Sequence, residues 1–200
     1  MATTTYSPTD SQPRLVGRDR GSRSGIWVGI FAITMSFAAF TSALYVRQGS
    51  GDWAHIVLPG IMYANTVILL ISSLTMEMSR RTIASSWRSG VRERGGAWPW
   101  LAATLVLGLA FVSGQYLAWR HLAAQGLYLA TNSNSSFFYV FTAMHALHLL
   151  GGIAALIYLM GRCAGSHGTV RPILFHNTAV YWHFMGVLWL YLLLVICTRL

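Results

Sequence analysis

From Phe137 to Met160 the chain reads FFYVFTAMHALHLLGGIAALIYLM, twenty-four residues without Asp, Glu, Lys or Arg. As a helix rising ~1.5 Å per residue, this run extends about 36 Å, longer than the ~30 Å hydrocarbon core of a bilayer. It carries His145 and His148. Ionisable side chains at that depth are costly and face protein, bound lipid or water rather than bulk lipid. A second run, Phe175–Thr198, holds YWHFMGVLW from Tyr181 to Trp189, again with a histidine in apolar surroundings. Three more runs, Gly25–Val46, His55–Met78 and Ala97–Trp119, are of spanning length. The expected fold is an all-α membrane protein: five transmembrane helices in one domain over 25–200, after a polar tail over 1–24.

Composition agrees. The chain is 54% hydrophobic and 10% charged with a mean hydropathy of +0.51, which excludes an ordinary soluble domain of 200 residues. No window reads as a cleaved secretory signal, because the first apolar run follows a 24-residue polar tail and lacks a small-residue cleavage site. All 14 basic residues are arginine. Arg14, Arg18, Arg20 and Arg23 lie in the tail, Arg80, Arg81, Arg88, Arg92 and Arg94 in the second loop, and Arg162 and Arg171 in the fourth. Only Arg47, Arg120 and Arg199 lie on the opposite side. The positive-inside rule therefore sets the N-terminus in the cytoplasm and the C-terminus outside. The same bias accounts for the net charge of +9 without a nucleic-acid partner.

Between the spans, local composition changes. The Ser/Thr/Pro/Gly-rich tail reads as disordered and basic. The loop Ser79–Gly96 ends in Ala97-Trp98-Pro99-Trp100, where Pro99 suits the first turn of the third helix. Trp98 and Trp100, with Trp53 in the first loop, are placed as interfacial anchors. Asn132 to Ser136 supplies capping residues for the fourth helix. Cys163 and Cys197 fall at opposite membrane ends, too far apart for a disulfide, and make no metal-ligand spacing.

Polar residues inside the spans fall on faces. Thr142, His145, His148 and Gly152 form one stripe at helical spacing, and His176, Val180, His183 and Val187 form another. Asn65, Ser72 and Ser73 lie in the second span, and Gly108, Ser113, Gly114 and Gln115 in the third. The plain reading is hydrogen bonding to neighbouring helices, lipid headgroups or trapped water. The sharper one is ligation: His145 and His148 could share a cation with His183, or imidazoles from two helices could face a haem. Against ligation, no carboxylate accompanies the histidines; the one acidic residue in or at the edge of a span is Glu77. We expect no catalytic and no metal-binding residue here. The expected lipid- or helix-interface stripe is Asn65, Gln115, His145, His148, His176, His183 and Trp189.

These motifs resemble subunit III of haem–copper terminal oxidases. Thr142-Ala143-Met144-His145-Ala146-Leu147-His148 is similar to the family's Thr-Gly-x-His-Gly-Leu-His, and Tyr181 through Trp189 to its Tyr-Trp-His-Phe-x-Asp-x-x-Trp. Weaker likenesses are Gly25-Ile26-Trp27 through Met35, Phe37 and Tyr45, then Ala64-Asn65-Thr66-Val67 with Ser72-Ser73-Leu74-Thr75, and Gln115-Tyr116-Leu117-Ala118-Trp119. The pattern fits the short, five-helix type. Three family carboxylates are missing, with Ile33, Ala118 and Gly186 at their places. That disfavours proton relay and leaves packing and lipid holding. The resemblance implies a subunit III-like bundle with a lipid-holding cleft, in a bacterial plasma membrane. It also implies a non-catalytic core subunit that stabilises oxidase subunit I, lies near subunit II and other membrane subunits, and supports oxygen access. Haem and copper would belong to partner subunits, and structural phospholipid to this one. The alternatives are a subunit III-like accessory protein of a nitric-oxide reductase and, more remotely, a stand-alone haem-binding membrane cytochrome.

Overall fold

The computed structural model describes residues 12–48, 60–89, 96–126, 133–164 and 172–199. It contains five helices: α1 (Gln12–Arg47), α2 (Ile61–Ser89), α3 (Trp98–Ala124), α4 (Ser133–Ala164) and α5 (Pro172–Arg199). All five are long and apolar enough to cross a membrane. Each apolar run expected to span falls within one of these helices, except that Gly60 precedes α2, Ala97 precedes α3 and His55–Pro59 lies outside the described residues.

The helices outrun the apolar stretches at their ends, for local reasons. α1 begins at Gln12, with Pro13 in its first turn, so much of the tail expected to be disordered is helical. Met1–Ser11 lies outside the described residues. α2 starts where the Gly60 carbonyl accepts from the Tyr63 and Ala64 amides. It then runs through Arg80, Arg81 and Arg88, which are good helix formers, so half of the expected second loop is helix. α3 opens with Pro99 in its first turn as expected, and stops where Gly126 takes φ +80°.

Four helices form a ring. α2 packs on α3, α3 on α4, α4 on α5, and α5 closes back on α2, while α1 lies outside against α5 and α4. With polar groups so scarce, side-chain hydrogen bonds between helices set the register, each contributing about 0.6 kcal/mol on average in a membrane. Trp182 and Trp189 of α5 donate their indole N–H groups to Ser72 Oγ (2.9 Å) and Thr66 Oγ1 (3.0 Å) of α2. The Thr75 and Thr104 hydroxyls bond α2 to α3 at 2.8 Å, and Trp119 Nε1 donates to Thr142 Oγ1 at 3.0 Å between α3 and α4. Tyr181 donates to the His148 carbonyl and Tyr191 to Thr41 Oγ1, each at 2.9 Å. Close approach requires glycine at two places. A Cβ at Gly114 would overlap the Asn65 amide, and one at Gly108 would come within 2.8 Å of the Trp182 ring.

The core holds Phe37, Phe111, Phe138, Phe141, Trp182 and Trp189 among its largest buried side chains. Large apolar side chains also cover the outside, including Trp27, Phe31 and Met35 on α1 and Val106 and Leu109 on α3. A surface of that kind suits lipid or partner helices. Trp98 and Trp100 are exposed at the start of α3, as an interfacial anchor requires; Trp53 lies outside the described residues. Neither Cys163 nor Cys197 is in a disulfide, and Cys197 Sγ lies 3.8 Å from the Tyr63 hydroxyl.

Candidate functional site

The Trp119–Thr142 hydrogen bond fixes the antiparallel register of α3 and α4. One turn toward the middle of the bundle, that register sets Gln115 of α3 opposite His145 of α4. Both are buried, at 1% and 0% exposure. The His145 imidazole is walled by the rings of Phe111, centroid at 5.9 Å, and Trp189, at 5.1 Å. Phe111 and Trp189 meet edge to face at 4.9 Å. Asn65 joins from α2, its Nδ2 pointing at the Phe111 carbonyl at 3.5 Å. Of the seven residues expected in the lipid- or helix-interface stripe, Asn65, His145 and Trp189 thus meet Phe111, and Gln115 follows it by one turn on α3.

The other three lie elsewhere. His148 is half-buried; its Nδ1 donates to the Met144 carbonyl at 2.7 Å and its ring packs 5.9 Å from Phe37 of α1. His183 is half-buried on α5, and His176 is exposed. The expected single stripe on α4 divides because residues three apart differ by about 60° around a helix, so Thr142 and His148 stand about 120° apart. The stripe on α5 turns outward, with His176 and Val187 exposed. The inward face of α5 instead carries Trp182, Met185 and Trp189. Its buried polar groups are two indole N–H donors and the Thr178 hydroxyl rather than imidazoles.

One expectation needs correction. A carboxylate does stand near a histidine: Glu77 Oε2 of α2 lies 3.9 Å from His183 Nε2. Glu77 also accepts from Arg80 Nε and Nη2, both at 2.7 Å, and from Arg81 Nε at 2.8 Å. Arg80 and Arg81 follow Glu77 at i+3 and i+4, so the ion pairs are dictated by helix geometry. The His183 contact is dictated only by how α5 meets α2. The same holds for the hydrogen bonds of Ser72 and Thr66, polar residues expected in the second span, and of Thr104 and Thr41, which sequence spacing did not single out. The available signal was the Trp and Tyr content of α5, since buried indole and phenol groups require polar partners.

This arrangement packs helices; it does not assemble a ligand sphere. Among the described residues, no group of three or more His, Cys, Asp or Glu side chains comes together to hold a metal ion. His145, His148 and His183 each face a different neighbour. The feature that packing leaves open is polar: both ring nitrogens of His145 and both amide atoms of Gln115 are buried without a hydrogen-bond partner among the described residues. Each such atom costs about 1–3 kcal/mol if it stays unpaired.

Comparison with known proteins places the chain. The sequence profile of cytochrome c oxidase subunit III matches residues 20–198. A protein named probable cytochrome c oxidase subunit 3 in Mycobacterium leprae is 34% identical over 132 residues, 66% of this chain and 62% of that one. The match therefore spans under two thirds of that relative. Cytochrome c oxidase subunit 3 of Synechocystis is 26% identical over 88% of this chain and 70% of its own. That of Alkalihalophilus pseudofirmus is 28% identical over 86% and 84%. These names do not favour the nitric-oxide reductase reading. Five spans and bacterial relatives describe a multi-pass protein of the bacterial plasma membrane. The chain belongs to the cytochrome c oxidase subunit III family.

Proposed function

We propose that this chain is the non-catalytic third subunit of a respiratory haem–copper oxygen reductase, packed on the flank of subunit I and near subunit II. The observation that carries the reading is the full burial of His145 against the rings of Phe111 and Trp189. This histidine of the fourth-helix motif is used inside the bundle, and among the described residues no further ligands converge on it. Haem and copper then belong to the partner subunits, and the large exposed apolar faces of α1 and α3 serve as surfaces for lipid and neighbouring helices.

Lipid holding is the second part of the proposal. A groove between the end of α1 and the start of α4 is lined by Ala39, Ala43, Val46 and Phe137, with Arg47 at its edge. An acyl chain fits the apolar wall and an anionic headgroup the arginine. The proposed topology keeps the basic tail over 1–24 and the α2–α3 connection in the cytoplasm and Leu200 outside, following the arginine distribution. In this account the loss of acids at Ile33, Ala118 and Gly186 removes desolvation cost and leaves scaffold and support of oxygen access as the roles.

The test is copurification of the tagged chain from its native membrane. A large partner subunit and haem absorbance should arrive together and leave together when the complex is dissociated. A haem band that stays with the isolated chain, and disappears in His145→Ala or His183→Ala, would reject the reading.

A further inference from the structure

We propose that Gln115 and His145 form a buried hydration site, in which internal water bridges α3 and α4 at the centre of the bundle. The four polar atoms of these two side chains lie in the core with no protein partner among the described residues. Gln115 precedes Trp119 by four residues and His145 follows Thr142 by three, so the Trp119–Thr142 bond brings the two to the same level of the antiparallel α3–α4 pair.

Neighbouring groups are already committed. Trp189 Nε1 donates to Thr66 and Trp119 Nε1 to Thr142, while the Asn65 amide points at the Phe111 carbonyl. The rings of Phe111 and Trp189, themselves in edge-to-face contact, pack together against one side of the imidazole. A direct bond between the two side chains would satisfy one atom of each and leave the other two unpaired. A neutral imidazole needs one donor and one acceptor, and an amide offers donors at one end and an acceptor at the other. Water supplies both functions and, when buried, normally makes two to four such bonds. A cation is a poorer occupant, since no carboxylate is present to balance it; Glu77 is engaged with Arg80, Arg81 and His183.

Two measurements test the site. In the full-length chain reconstituted in phospholipid vesicles and labelled with 15N-histidine, the His145 signals are identified by their loss in His145→Phe. The expected spectrum shows the unprotonated ring nitrogen displaced upfield by hydrogen bonding, with magnetisation transfer from water protons to the ring and to the Gln115 amide. Ring nitrogens at the positions of a free imidazole, or coupled to Gln115 with no water contact, would overturn the proposal. Second, His145→Leu, Gln115→Leu and the double variant are compared by the thermal midpoint of the assembled complex. Shared water predicts that the double variant loses less than the two single losses combined; a strictly additive loss means that the residues share no ligand.

Discussion

Gly108→Ala is a demanding test of the packing described above, because the structure fixes what the added methyl meets. Its Cβ would lie 2.8 Å from Cη2 and 3.1 Å from Cζ2 of Trp182, and 3.7 Å from Ile153 Cγ1. Trp182 cannot retreat freely, since it is 1% exposed and its Nε1 is bonded to Ser72 Oγ at 2.9 Å. Either α3 moves away from α5 or the indole tilts and gives up Ser72. Overpacking of this kind costs about 1–3 kcal/mol, and loss of the interhelical bond adds roughly 0.6–1.7 kcal/mol. The expected destabilisation is therefore about 1–3 kcal/mol if the helices part and about 2–5 kcal/mol if the Ser72 bond is lost as well. Unfolding of the full chain in mixed micelles, titrated with denaturing detergent, measures it. Trp182→Phe removes the two ring atoms in conflict, so the double variant should be more stable than the sum of the single effects predicts. Gly108→Ala with wild-type stability, or strict additivity with Trp182→Phe, would refute the close approach of α3 and α5.

Three further outcomes follow from other parts of the molecule. Glu77→Gln should cost under about 1 kcal/mol, because Arg80 and Arg81 are well exposed and such pairs are weak; a loss several times larger in the same detergent titration would make the cluster a structural keystone instead. A reporter fused after Leu200 should be external and one inserted at Ser89 cytoplasmic, and finding both on one side would contradict the proposed topology. Ile33→Glu should be neutral or harmful to proton-coupled turnover, since an unpartnered acid in a span costs roughly 2.5–3.5 kcal/mol on insertion scales. A gain in proton release per oxygen consumed, measured in vesicles, would show that a proton path survives and had lost only its acid.

The spans are legible in the sequence because arginines are confined to the segments outside the apolar runs, as the cost of burying a charge at bilayer depth favours. Their ends are less legible. Arg80 to Ser89 looks like loop by polarity, yet arginine continues a helix well, and nothing stops α2 once it has left the membrane. Within the site, burial of His145 and Gln115 could be anticipated from their apolar settings. Their surroundings could not, because Phe111 and Trp189 reach His145 from α3 and α5 only once the ring of helices closes. Helical spacing joined His145 to His148, but a drift of about 60° for every three residues carries His148 toward α1 and Tyr181. Glu77 could be seen as the lone acid of the spans; that it faces His183 depends on the crossing of α2 and α5.

The central claim is that this subunit supports an oxidase without taking part in its chemistry. Oxygen consumption by the purified complex, followed over many turnovers with and without this subunit, tests it most directly. A supporting role leaves a similar initial rate in both preparations, followed by progressive loss of activity, or a lower yield of assembled complex, where the subunit is absent. An initial rate that falls to background on removal of the subunit, while the partner haems remain bound and reducible, would contradict it.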